Sequence, residues 1–270
     1  MFQKIRNKIT HLLTKIGKRQ RFILASGVLA SSILFSSFLP LEIARYFFLV
    51  ILLIAYLMSF VAIPTGLNKI ERVMLFLLPI YFTIALDLFF FFLPGRWLTR
   101  IPFIIIYVIS IYAILLSSNI LNIGAQKSLQ LLRAAFSVNF LFLTFCAFLI
   151  CNLILSFRLN FFFNFIAFFI ALFPLSLQFL WSVNPKSHLE RVSIYYALFI
   201  AFIIAQIGLI FSFLAIKPTV FALLLTACFY SISGLFYAYL EERLFKERIR
   251  EFVFVLGFVL VIILLSVRWT

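Results

Sequence analysis

The chain has 270 residues, of which 66% are hydrophobic and 11% charged, with 39 Phe and a formal charge of +15. A soluble domain averages about 45–50% apolar and about 25% charged residues, so an ordinary globular domain is excluded, and a disordered chain with it. A nucleic-acid binder would carry its 23 Lys and Arg on a folded soluble face; most of this chain has none, and no nucleic-acid partner is expected.

Residues 1–21 come first. Phe2, Ile5, Ile9, Leu12, Leu13 and Ile16 recur at steps of three and four, one face of a helix. Seven Lys or Arg share the segment, and no acid precedes Glu42. A basic amphipathic helix in the headgroup layer is expected, with anionic lipid headgroups as its partner. The plainer reading is a topology signal. No clean small-residue cleavage site follows, so the first span is expected to stay in the protein.

A bilayer-crossing helix needs about 20 mostly apolar residues. Charged residues divide the rest of the chain into nine such stretches: 22–41, 46–64, 73–93, 101–121, 134–155, 161–183, 192–216, 219–240 and 252–267. Only helices and closed barrels satisfy their backbone inside a bilayer. The run 101–116 lacks the alternation of a barrel strand. The expected fold is therefore an all-α integral membrane protein of about nine transmembrane helices, within a range of eight to ten. Residues 22–270 are read as a single polytopic domain. Of the basic residues, 17 fall on one side and 6 on the other. The positive-inside rule then predicts a cytoplasmic N-terminus and an outside C-terminus, in a bacterial-type plasma membrane. Trp97, Trp181 and Trp269 fall at span ends, as interfacial indoles do.

The first span carries Gly27–Ser31 and Ser32–Ser36, small residues four apart that permit close helix approach. The third holds Asp87, the only ionisable acid or base inside a span. Such a residue is a functional candidate by default. Thr83 lies one turn away on the same face. The structural alternative is that Asp87 reaches outward to Arg96 or Arg100, or bonds across helices. Pro79 and Pro174 lie deep within spans, where proline kinks a helix and frees carbonyls.

In the seventh span, Gln206 stands 119 residues after Asp87, and Leu189-Glu190-Arg191-Val192 resembles Ile70-Glu71-Arg72-Val73 at the same offset. The match predicts that spans three and seven are equivalent helices with polar groups at equal depth. In the eighth span, Tyr230, Ser233 and Tyr237 form a stripe at i, i+3 and i+7. Ser231-Ile232-Ser233-Gly234 lacks the first glycine of a nucleophile elbow and any base, so it reads as a packing patch. Asn119, Asn139, Asn152, Asn164 and Gln178 read as interhelical hydrogen bonds.

Catalysis finds little support. The acids form no isolated carboxylate pair for a metal-assisted reaction. Glu241, Glu242, Glu247 and Glu251 alternate with basic residues, as on a self-paired helix. His11 and His188 are outside the spans, while Cys146, Cys151 and Cys228 are inside them as small hydrophobes. There is no P-loop. The expectation is a protein that is not an enzyme and holds no metal or cofactor. The first functional reading is a small transporter or permease-like protein with a polar site around Asp87, Thr83, Gln206, Tyr230, Ser233 and Tyr237. The alternative is a non-catalytic membrane subunit or scaffold that docks a membrane-protein partner through its basic cytoplasmic loops. A lipid-modifying enzyme comes last.

Overall fold

Apolar side chains spaced along stretches of about 20 residues, with few internal breakers, give helix after helix. The computed structural model describes residues 17–64, 68–92, 97–123, 129–213, 216–242 and 245–266, and of residues 41, 42, 44 and 45 the backbone alone. Among the described residues every regular element is an α-helix: α1 Lys18–Ser36, α2 Leu41–Ala62, α3 Lys69–Phe90, α4 Trp97–Ile123, α5 Leu129–Ser156, α6 Phe161–Val183, α7 Arg191–Phe211, α8 Pro218–Leu240 and α9 Lys246–Ser266. Seven of them, α3 to α9, are long and apolar enough to cross a membrane. Of the expected headgroup helix over residues 1–21, residues 1–16 lie outside the described residues, as does Trp269, and Lys18 to Arg21 form the first turn of α1.

Helix ends differ from the predicted spans for two reasons. Lys, Arg and Glu mark the edge of the hydrocarbon, whereas a helix continues into the headgroup layer. Hence α4, α5 and α9 begin at Trp97, Leu129 and Lys246, ahead of the expected 101, 134 and 252. Local caps decide the other ends. The α1 helix stops at Ser36, and Pro40 caps the start of α2. At the head of α3, Glu71 reaches back to accept the Asn68 backbone N–H at 2.8 Å.

The chain divides into two compact units, Met1–Phe142 and Leu143–Thr270, with the division inside α5. In the first, α1 packs on α2, α3 and α4, and α3 packs on α2 and α4. Leu29, Ile33, Leu75, Leu78, Phe82, Tyr107 and Ile111 fill its core. In the second, α7 packs on α6 and α8, and α8 also packs on α6 and α9. Two glycines set the approach there. A Cβ on Gly208 would lie 2.8 Å from the Phe168 ring, and one on Gly234 would lie 2.3 Å from the Phe252 ring. Outward faces carry Leu98, Ile109, Leu141, Ile170 and Phe254, all well exposed, as a lipid-facing surface does.

One expectation is corrected by the packing. Gly27 has open space where its Cβ would be, and Ser31 is exposed. That small pair therefore admits no neighbour among the described residues, and Ala25, Ala30 and Ser26 form the buried side of α1 instead. The starts of α2 to α5 recur in α6 to α9 at offsets of 117 to 122 residues. The four-residue match does not fall on equivalent positions, however. Glu71 is the third residue of α3, while Glu190 precedes the first residue of α7 as its cap.

Candidate functional site

Asp87 stands on α3 one turn before the helix ends, and it is 1% exposed. Ser36, the last residue of α1, donates its hydroxyl to Asp87 Oδ1 at 2.8 Å. The second carboxyl oxygen, Oδ2, is buried with no hydrogen-bond partner among the described residues. One turn deeper, the Thr83 hydroxyl donates to the Pro79 carbonyl at 2.7 Å. A hydroxyl has one proton to give. The 2.9 Å contact between Thr83 and Tyr107 of α4 is therefore a bond from the tyrosine to Thr83. Phe82 stacks on Tyr107 at 6.3 Å, and Phe90 meets Phe103 at 4.9 Å. The polar groups are thus set among aromatic rings.

Arg100 does not serve as the counter-ion. Its Nη2 donates to the Ser37 carbonyl at 3.3 Å, and its guanidinium lies over the Phe38 ring at 5.0 Å. Ser37 follows the last turn of α1, where unpaired carbonyls and the negative end of the helix dipole attract a cation. The carbonyl offers Arg100 a charge-assisted bond without burying the guanidinium beside Asp87. Arg96 lies outside the described residues.

The other expected site residues are in the second unit, where they are not gathered. Gln206 is exposed on α7, in line with Tyr195, Phe199, Phe202 and Ile210. Tyr230 meets the Phe252 ring of α9 at 5.5 Å, while Tyr237 meets Phe179 of α6 at 6.5 Å. Residues seven apart share a face yet stand about 10 Å apart along the axis, so the stripe divides between two neighbours. Ser233 is buried between them, and its hydroxyl has no partner among the described residues. The neighbouring Ser231 bonds the Phe252 carbonyl at 3.2 Å. The Ser231–Gly234 segment is a seat for α9.

A depression of about 170 Å³ lies where the α6–α7 loop meets the end of α8, lined in part by Trp181, Asn184, Lys186, His188, Glu190 and Ser193. The buried Trp181 indole donates to the Lys186 carbonyl at 2.9 Å. Hydrogen bonding to the Lys186 ammonium, and its charge, hold the Glu190 carboxyl below the usual carboxylate range. Among the described residues, no three His, Cys, Asp or Glu gather as metal ligands.

Sequence reasoning missed Ser36 and Tyr107 as partners of Asp87 and Thr83. Ser36 had a visible signal, a small polar residue at a span end, but that pattern serves packing as readily as bonding.

No curated protein and no solved structure matches the chain. A family model described as "protein of unknown function (DUF5656)" matches residues 35–266, which include Ser36, Thr83, Asp87 and Tyr107. The chain belongs to the DUF5656 family.

Proposed function

We propose that the protein is a small transporter or permease-like protein of the cell membrane, in which Asp87 takes up and releases a proton or a monovalent cation. One observation carries the reading. Asp87 is buried with one oxygen on the Ser36 hydroxyl and the other without a partner among the described residues. Structural glue satisfies its polar atoms, because an unsatisfied buried group costs about 1–3 kcal/mol. A coupling acid keeps an oxygen available for its ion, and intramembrane acids mark such pathways. Pro79, one turn before Thr83, adds a point of helix distortion of the kind transporters use.

The test uses the full chain in vesicles loaded with a pH-sensitive dye, with a potassium diffusion potential as driving force. The wild type is expected to carry protons inward. Asp87→Asn should lower the rate about tenfold or more, and Asp87→Glu should keep part of it. The same assay with a sodium-sensitive dye covers a cation in place of the proton. Rates equal to those of empty vesicles for wild type and variant, with both dyes, would overturn the reading.

A second reading is a non-catalytic membrane subunit that docks a partner through its basic cytoplasmic loops. It is favoured by the depression on the α6–α7 loop, where Lys186 and His188 stand beside apolar Leu180 and Leu240. Co-purification of a stoichiometric partner that Lys186→Glu releases would support it over transport.

A further inference from the structure

Of the amide side chains within the predicted spans, Asn139, Asn152, Asn164 and Gln178 are buried, and Asn119 is half-buried. Gln206 is the exception. It is exposed on α7, and its amide has no hydrogen-bond partner among the described residues. It stands fifteen residues past Arg191 and five before the last residue of α7. That is about 22 Å from the Arg191 end, inside a hydrocarbon core about 30 Å thick. Lipid tails offer an amide no hydrogen bond, so the group is costly there until another helix pairs it.

The rest of that face has the pattern of a helix seam. Tyr195, Phe199, Phe202, Gln206, Leu209 and Phe213 follow one another at alternating steps of four and three. This is the 3.5-residue repeat of a left-handed helix pair, whose knobs seat between those of the neighbour. Tyr195, Phe199, Phe202 and Phe213 are exposed, and Leu209 is half-buried. The adjoining helices flank the row and leave it open: Phe165 of α6 meets Phe202 at 6.0 Å, and Phe236 of α8 meets Phe199 at 6.0 Å. The outward face of α9 is the contrast. It is as apolar and as exposed, but no polar side chain interrupts it from Phe252 to Leu265, so lipid covers it without cost.

We propose that this row of α7 is the seam of a homodimer, in which Gln206 hydrogen-bonds its own counterpart across a two-fold axis along the membrane normal. Two features select a second copy of this chain as the occupant. Copies inserted in the same direction run parallel, so each residue meets its counterpart at equal depth. A primary amide has both an acceptor oxygen and N–H donors. Two Gln206 side chains therefore satisfy one another by reciprocal bonds, with no other polar residue required. A single polar residue in an otherwise apolar heptad row also fixes the register and the number of chains. Gln206 is in the second unit and Asp87 in the first; the dimer does not depend on ion movement through Asp87.

The test uses the full chain fused to a donor or an acceptor fluorescent protein, reconstituted into phosphatidylcholine vesicles and diluted with lipid. Energy transfer in the wild type is expected to exceed that of random neighbours and to fall on dilution. Gln206→Leu should move half-dissociation to an about tenfold higher protein-to-lipid ratio or more, the worth of two interhelical bonds. Gln206→Asn should keep part of the association. Gln206 holds nothing within its own chain among the described residues, so Gln206→Leu should leave helix content unchanged. Oxidative cross-linking in the same vesicles locates the seam. Phe202→Cys should yield dimers, and Phe254→Cys on α9 should not; the native cysteines are buried. Transfer at the random level in the wild type would mean that lipid or a different protein covers the face, and would overturn the dimer. Undiminished association in Gln206→Leu, or cross-linking of Phe254→Cys equal to that of Phe202→Cys, would overturn it as well. If Gln206→Leu does not reconstitute, the cross-linking pair decides alone.

Discussion

Ser36→Ala is expected to destabilise the protein by about 1–3 kcal/mol, and Asp87→Leu by less. The asymmetry follows from what each change leaves behind. Removing the Ser36 hydroxyl takes away the donor at 2.8 Å and strands a carboxyl whose other oxygen already lacks a partner among the described residues. Asp87→Leu removes the stranded group itself and replaces it with an apolar side chain of similar branching. The surroundings are apolar, with Phe82, Phe90 and Leu86 buried nearby on α3. In the double variant the cost of Ser36→Ala should largely vanish, since no carboxyl remains to be orphaned. Equilibrium unfolding in mixed micelles measures the cycle. Additive effects, or a Ser36→Ala cost indistinguishable from zero, would mean that the hydroxyl does not hold Asp87.

This cycle also bears on function. A variant such as Asp87→Leu that is as stable as the wild type, or more so, yet inactive in transport is the signature of a site where stability was given up for activity. A structural acid behaves in the opposite way: its loss destabilises the unit, and activity falls only as the folded fraction falls. Stability and flux measured on the same variants separate the two readings.

The fold was legible because composition dictates it. Stretches of about 20 apolar residues leave the backbone few alternatives inside a bilayer. Asp87 was legible for the same reason, as a lone acid in an apolar run. Its partner was not. Ser36 is 51 residues away, and the bond depends on the parallel register of α1 and α3, which no local pattern encodes. Gln206 fails for another reason. Sequence position fixes its depth along α7 but not its direction. In a soluble helix the polar face marks the outside. In a membrane helix both the lipid face and the packed face are apolar. The exposed stripe of Val192, Tyr195, Phe199, Phe202 and Ile210 is thus as hydrophobic as the buried one of Ile200, Ile204 and Ala205.

Gly234→Ala is expected to cost about 1–3 kcal/mol by overpacking, and the loss should be concentrated in α9. A methyl group there would lie 2.3 Å from one Phe252 ring carbon and 2.4 Å from another. The ring has little room to yield. Tyr230 packs against it edge to face at 5.5 Å, and the Ser231 hydroxyl ties down the Phe252 carbonyl at 3.2 Å. Relief must come from moving α9 away from α8, the helix it packs on in the second unit. Much of α9 otherwise faces outward, with Val253, Phe254, Phe258 and Leu265 exposed, so it has few other contacts to hold it. Trypsin cleavage at Lys246, Arg248 and Arg250 should therefore accelerate in Gly234→Ala before the rest of the chain unfolds. Gly257→Ala is the control. It sits on the same helix with open space at its Cβ and should change stability by no more than about 0.5 kcal/mol. Adding Phe252→Leu to Gly234→Ala removes both clashing ring carbons, so the pair should cost less than the sum of the single changes. Equal behaviour of Gly234→Ala and Gly257→Ala would show that α8 and α9 do not approach as closely as the Phe252 ring requires.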